Sequence, residues 1–385
     1  MKFVSLIIFL ASALLLLAPY FIYPIIIYIA SLIRPKPVKK GDIEPMVTLL
    51  ISAYNEAAHI GKKLENSFDL NYPKEKLEIV VVADGSTDGT KDVVEKYANK
   101  GVRLFWSPER KGKLRSISDV WQNLSGNIVV FSDANNLYVR DTIKALVANF
   151  ADPTVGAVCG EKHIMDNEGT NNPVAAGEGA YWRFENFIKN RESLVSSICG
   201  AMGELYAIRK ELVNPHTFID VIDDSLYISL KTVLSGYRLV WEPDAKSYER
   251  ASKSFSDEFK RKARIVAAGL QTVGKIPQIL APISSPIWLQ MIFHKALKWL
   301  APLFLILVFI SSWSMPEGDF KYFVLLAQLA FYLLAAINII PPIARRRIKI
   351  FYLPYYFCLG NFAALAGLFR WILKKQPSLW EKVER

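Results

Sequence analysis

The chain has 385 residues, of which 52% are hydrophobic and 22% charged, with a mean hydropathy of +0.20 and a formal net charge of +11. That length admits two ordinary domains or one domain plus a membrane part. So many charges in so apolar a chain exclude a bundle buried wholly in lipid. The densest basic clusters, Arg34/Lys36/Lys39/Lys40 and Arg345/Arg346/Arg347/Lys349, flank apolar runs. That placement suits anionic headgroups and topology signals and argues against nucleic acid. The three cysteines (Cys159, Cys199, Cys358) have neither a disulfide framework nor CxxC spacing, and no two of the four histidines fall at i, i+4, which excludes an HExxH zinc site.

In chain order, Phe3 to Ile33 is apolar almost without break, enough to cross a bilayer that needs ~20 residues. The run outlasts the ~7–15-residue core of a signal peptide, which predicts an uncleaved anchor. Four cations follow it, so the positive-inside rule puts residue 34 onward in the cytoplasm. From Val47 to about Gly274 the texture changes. Short apolar runs at 47–53, 77–83, 128–132 and 155–160 alternate with helical stretches at 56–68, 88–99 and 112–124. This rhythm predicts βαβ units and an α/β domain with a mostly parallel sheet covered on both faces.

Beyond Pro277 the chain is membrane-like again, with apolar runs at 296–314, 320–343 and 350–372. Segments 255–275 and 284–299 mix Arg and Lys with Phe, Ile, Leu and Trp. They read either as amphipathic helices lying in the interface or as exposed helices of the soluble domain. If the last run crosses, Lys374, Lys375, Lys382 and Arg385 end on the outside, against the positive-inside rule. Pro354, Gly360, Asn361 and Gly367 also make it an imperfect span, so three or four crossings both remain open. The expected division is an anchor with its basic flank at 1–40, a cytoplasmic domain at 41–275, and interfacial plus membrane helices at 276–385.

Three successive strands end in polar residues. "VTLLISAYNE" delivers Ser52, Tyr54, Asn55 and Glu56, "LEIVVVADGSTDGT" delivers Asp84 and Ser86, and "IVVFSDANN" delivers Asp133 and Asn135. One such end is an ordinary turn. Three on one edge of a parallel sheet predict a ligand crevice. No GxGxxG follows a strand and no GxxxxGK[ST] is present, so neither a dinucleotide nor a P-loop phosphate site is indicated. An acidic rim needs a cation before it can hold a diphosphate, and Asp133 and Asn135 offer hard oxygens two residues apart for Mg²⁺ or Mn²⁺. Lys113 and Arg115 would neutralise remaining phosphate charge. Further on, Asp223 and Asp224 begin a predicted helix. There they either complement the helix dipole or form a crowded pair whose raised pKa suits a general base. The small residues of "SSICGAMGELYAIRK" leave room for a substrate to approach the backbone.

Together "SAYNE", "ADGSTDGT", "KGK", "SDANN", "CGAMGELYAIR", "DD" and "KRKAR" resemble, in order and approximate spacing, the membrane-bound family 2 glycosyltransferases. These share a Rossmann-like cytoplasmic GT-A domain with the hyaluronan and cellulose synthases. The resemblance covers about 46–275. It implies that Tyr54, Asn55, Glu56 and Asp84 hold the nucleoside, Asp84 on the uracil edge, with Lys113 near the nucleotide. By the same resemblance Asp133 and Asn135 replace the DxD metal motif, and Asp224 is the catalytic base with Asp223 before it. Cys199 and Gly200, followed by Ala201 and Met202, match the acceptor-side motif, and Arg261 and Arg264 fall where QxxRW steadies the diphosphate.

The departures are Asn135 for the second Asp, Ser118 for a frequent Asn, and Arg261 and Ile265 for the Gln and Trp of QxxRW. The missing Trp leaves processivity open. The implied reaction is inverting transfer from a nucleotide sugar, expected to be a UDP-sugar, to a hydroxyl of a saccharide or lipid-linked acceptor in surface-glycan or exopolysaccharide synthesis. A homo-oligomer or export partner is conceivable because one chain has few helices for a pore. Two alternatives stay open at this point. In a polyprenyl-phosphate sugar transferase the Asp pair would be idle, and a non-catalytic nucleotide-sugar-binding scaffold would need no base at all.

Overall fold

A computed structural model of the protein describes residues 2–165, 173–218, 221–252, 254–346 and 348–375. Arg347, Lys382 and Arg385 lie outside the described residues. The expected strands form as β1 (Val47–Ala53), β2 (Leu77–Asp84), β4 (Ile128–Asp133) and β6 (Val155–Met165). With β3 (Arg103–Ser107), β5 (Leu137–Tyr138), β7 (Tyr206–Arg209) and β8 (Arg238–Arg250) they make one sheet of order β3-β2-β1-β4-β7-β6-β8-β5.

The half from β3 to β4 is all parallel. β7 runs antiparallel to both β4 and β6, β6 pairs parallel with β8, and β5 is antiparallel to β8. Successive residues of one strand serve opposite faces. Leu50, Val80, Val82, Val129 and Phe131 pack into one core, while Leu49, Ile51, Val81 and Val130 pack into the other. Burial on both faces explains why these strands read as unbroken apolar runs and do not alternate. The parallel register sets Ser52 beside both Val82 and Asp133, so the polar ends of β1, β2 and β4 share one rim.

Four helices among the described residues are long and apolar enough to cross a membrane: Lys2–Ile33, Trp288–Trp313, Asp319–Ile337 and Lys349–Ile372. One expectation needs correction. The segment 284–299 is not a separate interfacial helix, because residues from Trp288 onward are the opening turns of the continuous helix ending at Trp313. Helix Phe255–Lys275 packs against two of the apolar helices, which removes the alternative of a helix exposed on the sheet domain. The small residues on its inner face allow this. A Cβ on Gly367 would stand 2.5 Å from the Ala263 carbonyl oxygen, and one on Gly269 would stand 2.5 Å from the Trp299 ring.

Candidate active site

The rim holds a cavity of about 170 Å³ lined by Ser52, Tyr54 and Glu56 at and beyond the end of β1, by Asp84 and residues of the 110–116 segment, by Asp133 and Asn135 at and beyond the end of β4, and by Glu249, Arg261 and Arg264. Local chemistry explains how each wall is set. Asn55 adopts a left-handed φ of 53°, a conformation that Asn tolerates. Its N–H donates to Ser86 Oγ at 3.1 Å, and its side-chain oxygen accepts from Thr87 N at 2.8 Å. Asn55 and Ser86 therefore lace two turns together and are not among the residues that line the cavity.

Asp84 accepts from Lys111 N (2.7 Å), Gly112 N (2.7 Å) and Ser116 Oγ (2.8 Å). A carboxylate has about four acceptor positions, so one remains for a ligand such as a base edge. The bound loop lies so close that a Cβ on Gly85, whose φ is +65°, would meet the Arg110 backbone at 2.7 Å. Arg110 in turn stacks its guanidinium 3.7 Å from the centre of the Tyr54 ring.

On the opposite side, the Lys113 ammonium lies 3.1 Å from Asp133 Oδ1 and 3.3 Å from Asp224 Oδ2. Asp224 is 2% exposed. Burial raises its pKa above the usual carboxylate range, Asp223 and Asp133 add to the rise, and Lys113 opposes it. Lys113 itself is held protonated, because Asp133 and Asp224 outweigh the effect of burial. Asp223 takes the helix-start role that was one of its two expected readings. Its Oδ1 accepts from Leu226 N at 3.0 Å and Ser225 Oγ at 2.8 Å, capping helix Asp224–Leu234. The cap aims Asp224, and Asp223 does not line the cavity.

Arg261 makes a two-pronged pair with the buried Glu258, with both contacts at 2.9 Å. Burial would raise the Glu258 carboxyl, but Arg261, Lys262 and the Tyr356 hydroxyl bring it down to about 2. Burial and the neighbouring Arg261 lower the pKa of Arg264.

The 133–136 turn suits a hard divalent cation. Asn135 Oδ1 is buried with no hydrogen-bond partner and lies one residue beyond the Asp133 carboxylate's neighbour Ala134, a donor set of carboxylate and amide oxygen. Asn136 fixes the turn from behind, accepting from Lys63 Nζ (2.9 Å) and Ser132 Oγ (3.0 Å) and donating to the Glu204 carbonyl (2.6 Å).

The residues of the acceptor-side motif do not line the cavity. Gly200, with φ of +148°, packs where a Cβ would strike Leu226 at 2.7 Å. Ala201 N donates to Ser229 Oγ at 3.3 Å, and Met202 is buried in the core. Cys199 points away from the cavity, its sulfur 3.1 Å from His294 Nδ1. Arg115 does not line the cavity. Sequence reasoning missed Arg110, Ser116 and Glu249. The first two adjoin the Lys113 motif and were within reach, whereas Glu249 lies late in β8 beside no recognisable motif.

The family described as Glycosyl transferase family 2 matches residues 48–214. The chain carries a family 2 glycosyltransferase domain. Over 250 residues it is 27% identical to the poly-β-1,6-N-acetyl-D-glucosamine synthase of Staphylococcus aureus strain COL, covering 63% of this chain and 60% of that protein. The chain thus spans 60% of the length of the curated synthases it matches. A β-monoglucosyldiacylglycerol synthase of Synechocystis is 30% identical over 177 residues, which are 44% of this chain and 36% of that one. Among solved structures, a mannosyltransferase from Pyrobaculum calidifontis in complex with GDP-Man and Mn²⁺ superimposes with a TM-score of 0.72 at 25% identity, covering 95% of this chain and 99% of that one. The family 2 domain therefore has the GT-A fold, and the four apolar helices accompany it in a membrane protein.

Proposed function

We propose that the protein is a membrane-bound inverting glycosyltransferase that moves a sugar from a nucleotide sugar to a hydroxyl of a saccharide or glycolipid acceptor in exopolysaccharide or surface-glycan synthesis. The observation that carries the reading is the buried Asp224 carboxylate, which Lys113 links to Asp133 on the wall of a cavity that Arg261 and Arg264 also line. In this reading Tyr54, Glu56, Asp84 and Arg110 form the nucleoside end, and Arg261, Arg264 and Lys113 face the diphosphate. Asp133 and Asn135 would hold Mn²⁺ or Mg²⁺, which when bound offsets the charge of the diphosphate leaving group.

Asp224 takes the proton of the acceptor hydroxyl. Its raised pKa suits that work near neutral pH, and a single displacement inverts the anomeric carbon, so an α-linked donor yields a β-glycoside. Burial of Asp224 also supports this reading over transfer to a polyprenyl phosphate, whose oxygen needs no base. The basic flank after the first span supports a cytoplasmic catalytic domain at 41–275 between the anchor at 1–40 and the helices of 276–385.

The test uses the full chain in detergent with Mn²⁺ or Mg²⁺, screened against UDP- and GDP-sugars for nucleotide release with and without saccharide acceptors, with the product then sized. Release that depends on acceptor is expected, with UDP-sugars preferred. No release with any donor in either metal would overturn the proposal.

A further inference from the structure

Away from the donor cavity lies one buried cluster of titratable and nucleophilic side chains that the proposed transfer does not use. Tyr23 reaches it from span Lys2–Ile33, Glu185 and Glu192 from helix Pro173–Val195, Cys199 from the stretch that follows, and His294 and Lys298 from span Trp288–Trp313. We propose that Glu192, Cys199 and His294 bind one zinc ion that clips the sheet-bearing domain to these two membrane helices.

The contacts around His294 suit a cation. Its Nδ1 lies 3.1 Å from Cys199 Sγ and 2.8 Å from Glu192 Oε1 at once. Without a metal, an imidazolium hydrogen on Nδ1 would be shared between Glu192 Oε1 and the weakly accepting Cys199 sulfur. A metal ion among the three atoms would bind the same carboxylate oxygen, sulfur and ring nitrogen as ligands. The three ligand atoms already lie within 4.8 Å of one another. Ligands on a tetrahedral zinc stand roughly 3.3–3.6 Å apart given zinc's bond lengths, so loading needs an opening of about half an ångström.

The surroundings are those of a metal-binding histidine. Nε2 lies 2.9 Å from Glu185 Oε2, and Lys298 holds the other oxygen of Glu185 at 2.6 Å. A carboxylate on the far nitrogen fixes the ring and directs the Nδ1 lone pair at the metal. The Tyr23 hydroxyl steadies Glu192 Oε1 at 2.6 Å, and Glu192 Oε2 is buried without a hydrogen-bond partner, available as a fourth donor.

Charge balances as well. Zinc with a thiolate and a neutral imidazole replaces two protons, one from the thiol and one from the imidazolium, leaving the net charge of Glu185, Glu192, Cys199, His294 and Lys298 unchanged. Thiolate and imidazole select zinc, while the all-oxygen set of Asp133 and Asn135 selects magnesium or manganese.

The inference is independent of the transfer reaction and is read by metal content. The full-length protein, purified in detergent and washed with chelator, is expected to retain about one zinc per chain. Cys199→Ser and His294→Ala should each lose at least about tenfold of it, and Asp133→Asn should retain it. Cobalt exchanged into the wild type should give a thiolate-to-cobalt absorption band that Cys199→Ser lacks. Should His294→Ala fail to fold, the near-isosteric Cys199→Ser still reports. The proposal is overturned by less than about a tenth of an equivalent of transition metal, as purified and after incubation with Zn²⁺, with no cobalt band. Undiminished zinc in Cys199→Ser would overturn it equally.

Discussion

The two walls of the cavity are built by different means. The strand-end wall is made by turns that close on themselves: Asn55 to Ser86 and Thr87, Asp84 to the loop at 111–116, and Asn136 to Ser132 and Lys63. The facing wall holds Arg261 and Arg264, on a helix whose place depends on Glu258, Tyr356 and the backbone of the last apolar span. Asp224 is buried behind the strand-end wall and is linked to it through Lys113. One wall is rigid by itself, and the other is held from the membrane side.

The largest expected effect tests the group behind the strand-end wall. Asp224→Asn should lower kcat for transfer by ~10²–10⁴ while nucleotide affinity, measured by calorimetry with UDP and GDP, stays near wild type. Full retained transfer would remove the base assignment. Next, Glu258→Gln attacks the membrane-held wall alone. Leaving Arg261 buried beside a neutral partner should cost about 3–5 kcal/mol of stability and weaken donor binding.

The pH dependence of that effect has a definite sign. Glu258 titrates near 2 in the folded chain against about 4.3 unfolded. Its contribution is therefore complete above the unfolded value and vanishes as pH falls toward 2. Thermal melts of wild type and Glu258→Gln across that window should converge at the acid end.

Lys113→Met sharpens the link of Asp224 to the strand-end wall. Lys113 opposes the rise in the Asp224 pKa, so its loss should move the acid limb of the kcat/KM profile to higher pH, from a wild-type position already above the ~3.9 of an ordinary Asp. Asp223→Ala should give the smallest change, a loss of about 1 kcal/mol from the missing cap, with transfer retained. Because Asp223 helps raise the Asp224 pKa, its acid limb should shift the opposite way, slightly downward. A shift in the same direction for both variants would mean that Asp224 is not the group being titrated.

The same division explains what could be read from the amino acids. The runs 47–53, 77–83 and 128–132 announced β1, β2 and β4 because burial on both faces removes any need for polar alternation, and their ends gathered because parallel strands must finish on one edge. β3, β5, β7 and β8 escaped notice. "RLFWS" and "YAIR" are short and mixed, and β8 carries Arg, Glu, Asp and Lys, whose placement depends on partners such as Lys162 for Glu249.

Asp224 was legible as half of an acidic pair, but which Asp caps the helix and which meets Lys113 depends on the backbone conformation at the helix start. Cys199 followed the resemblance toward the acceptor, yet packing turned its sulfur to His294, 95 residues away. No local pattern encodes that distance. Helix Phe255–Lys275 looked amphipathic because it has two environments, one of them an apolar helix from the far end of the chain.

The bare Cα of Gly367 makes the final hydrophobic segment touch the arginine-bearing helix backbone to backbone, with no flexible side chain between them to absorb movement. Lipid thickness influences how far such a segment leans, and a change of lean would reach the helix that carries Arg261 and Arg264 without a side chain to cushion it. In the proposed enzyme, bilayers of different thickness should therefore give different rates of sugar transfer, a dependence that reconstitution into lipids of graded chain length would read.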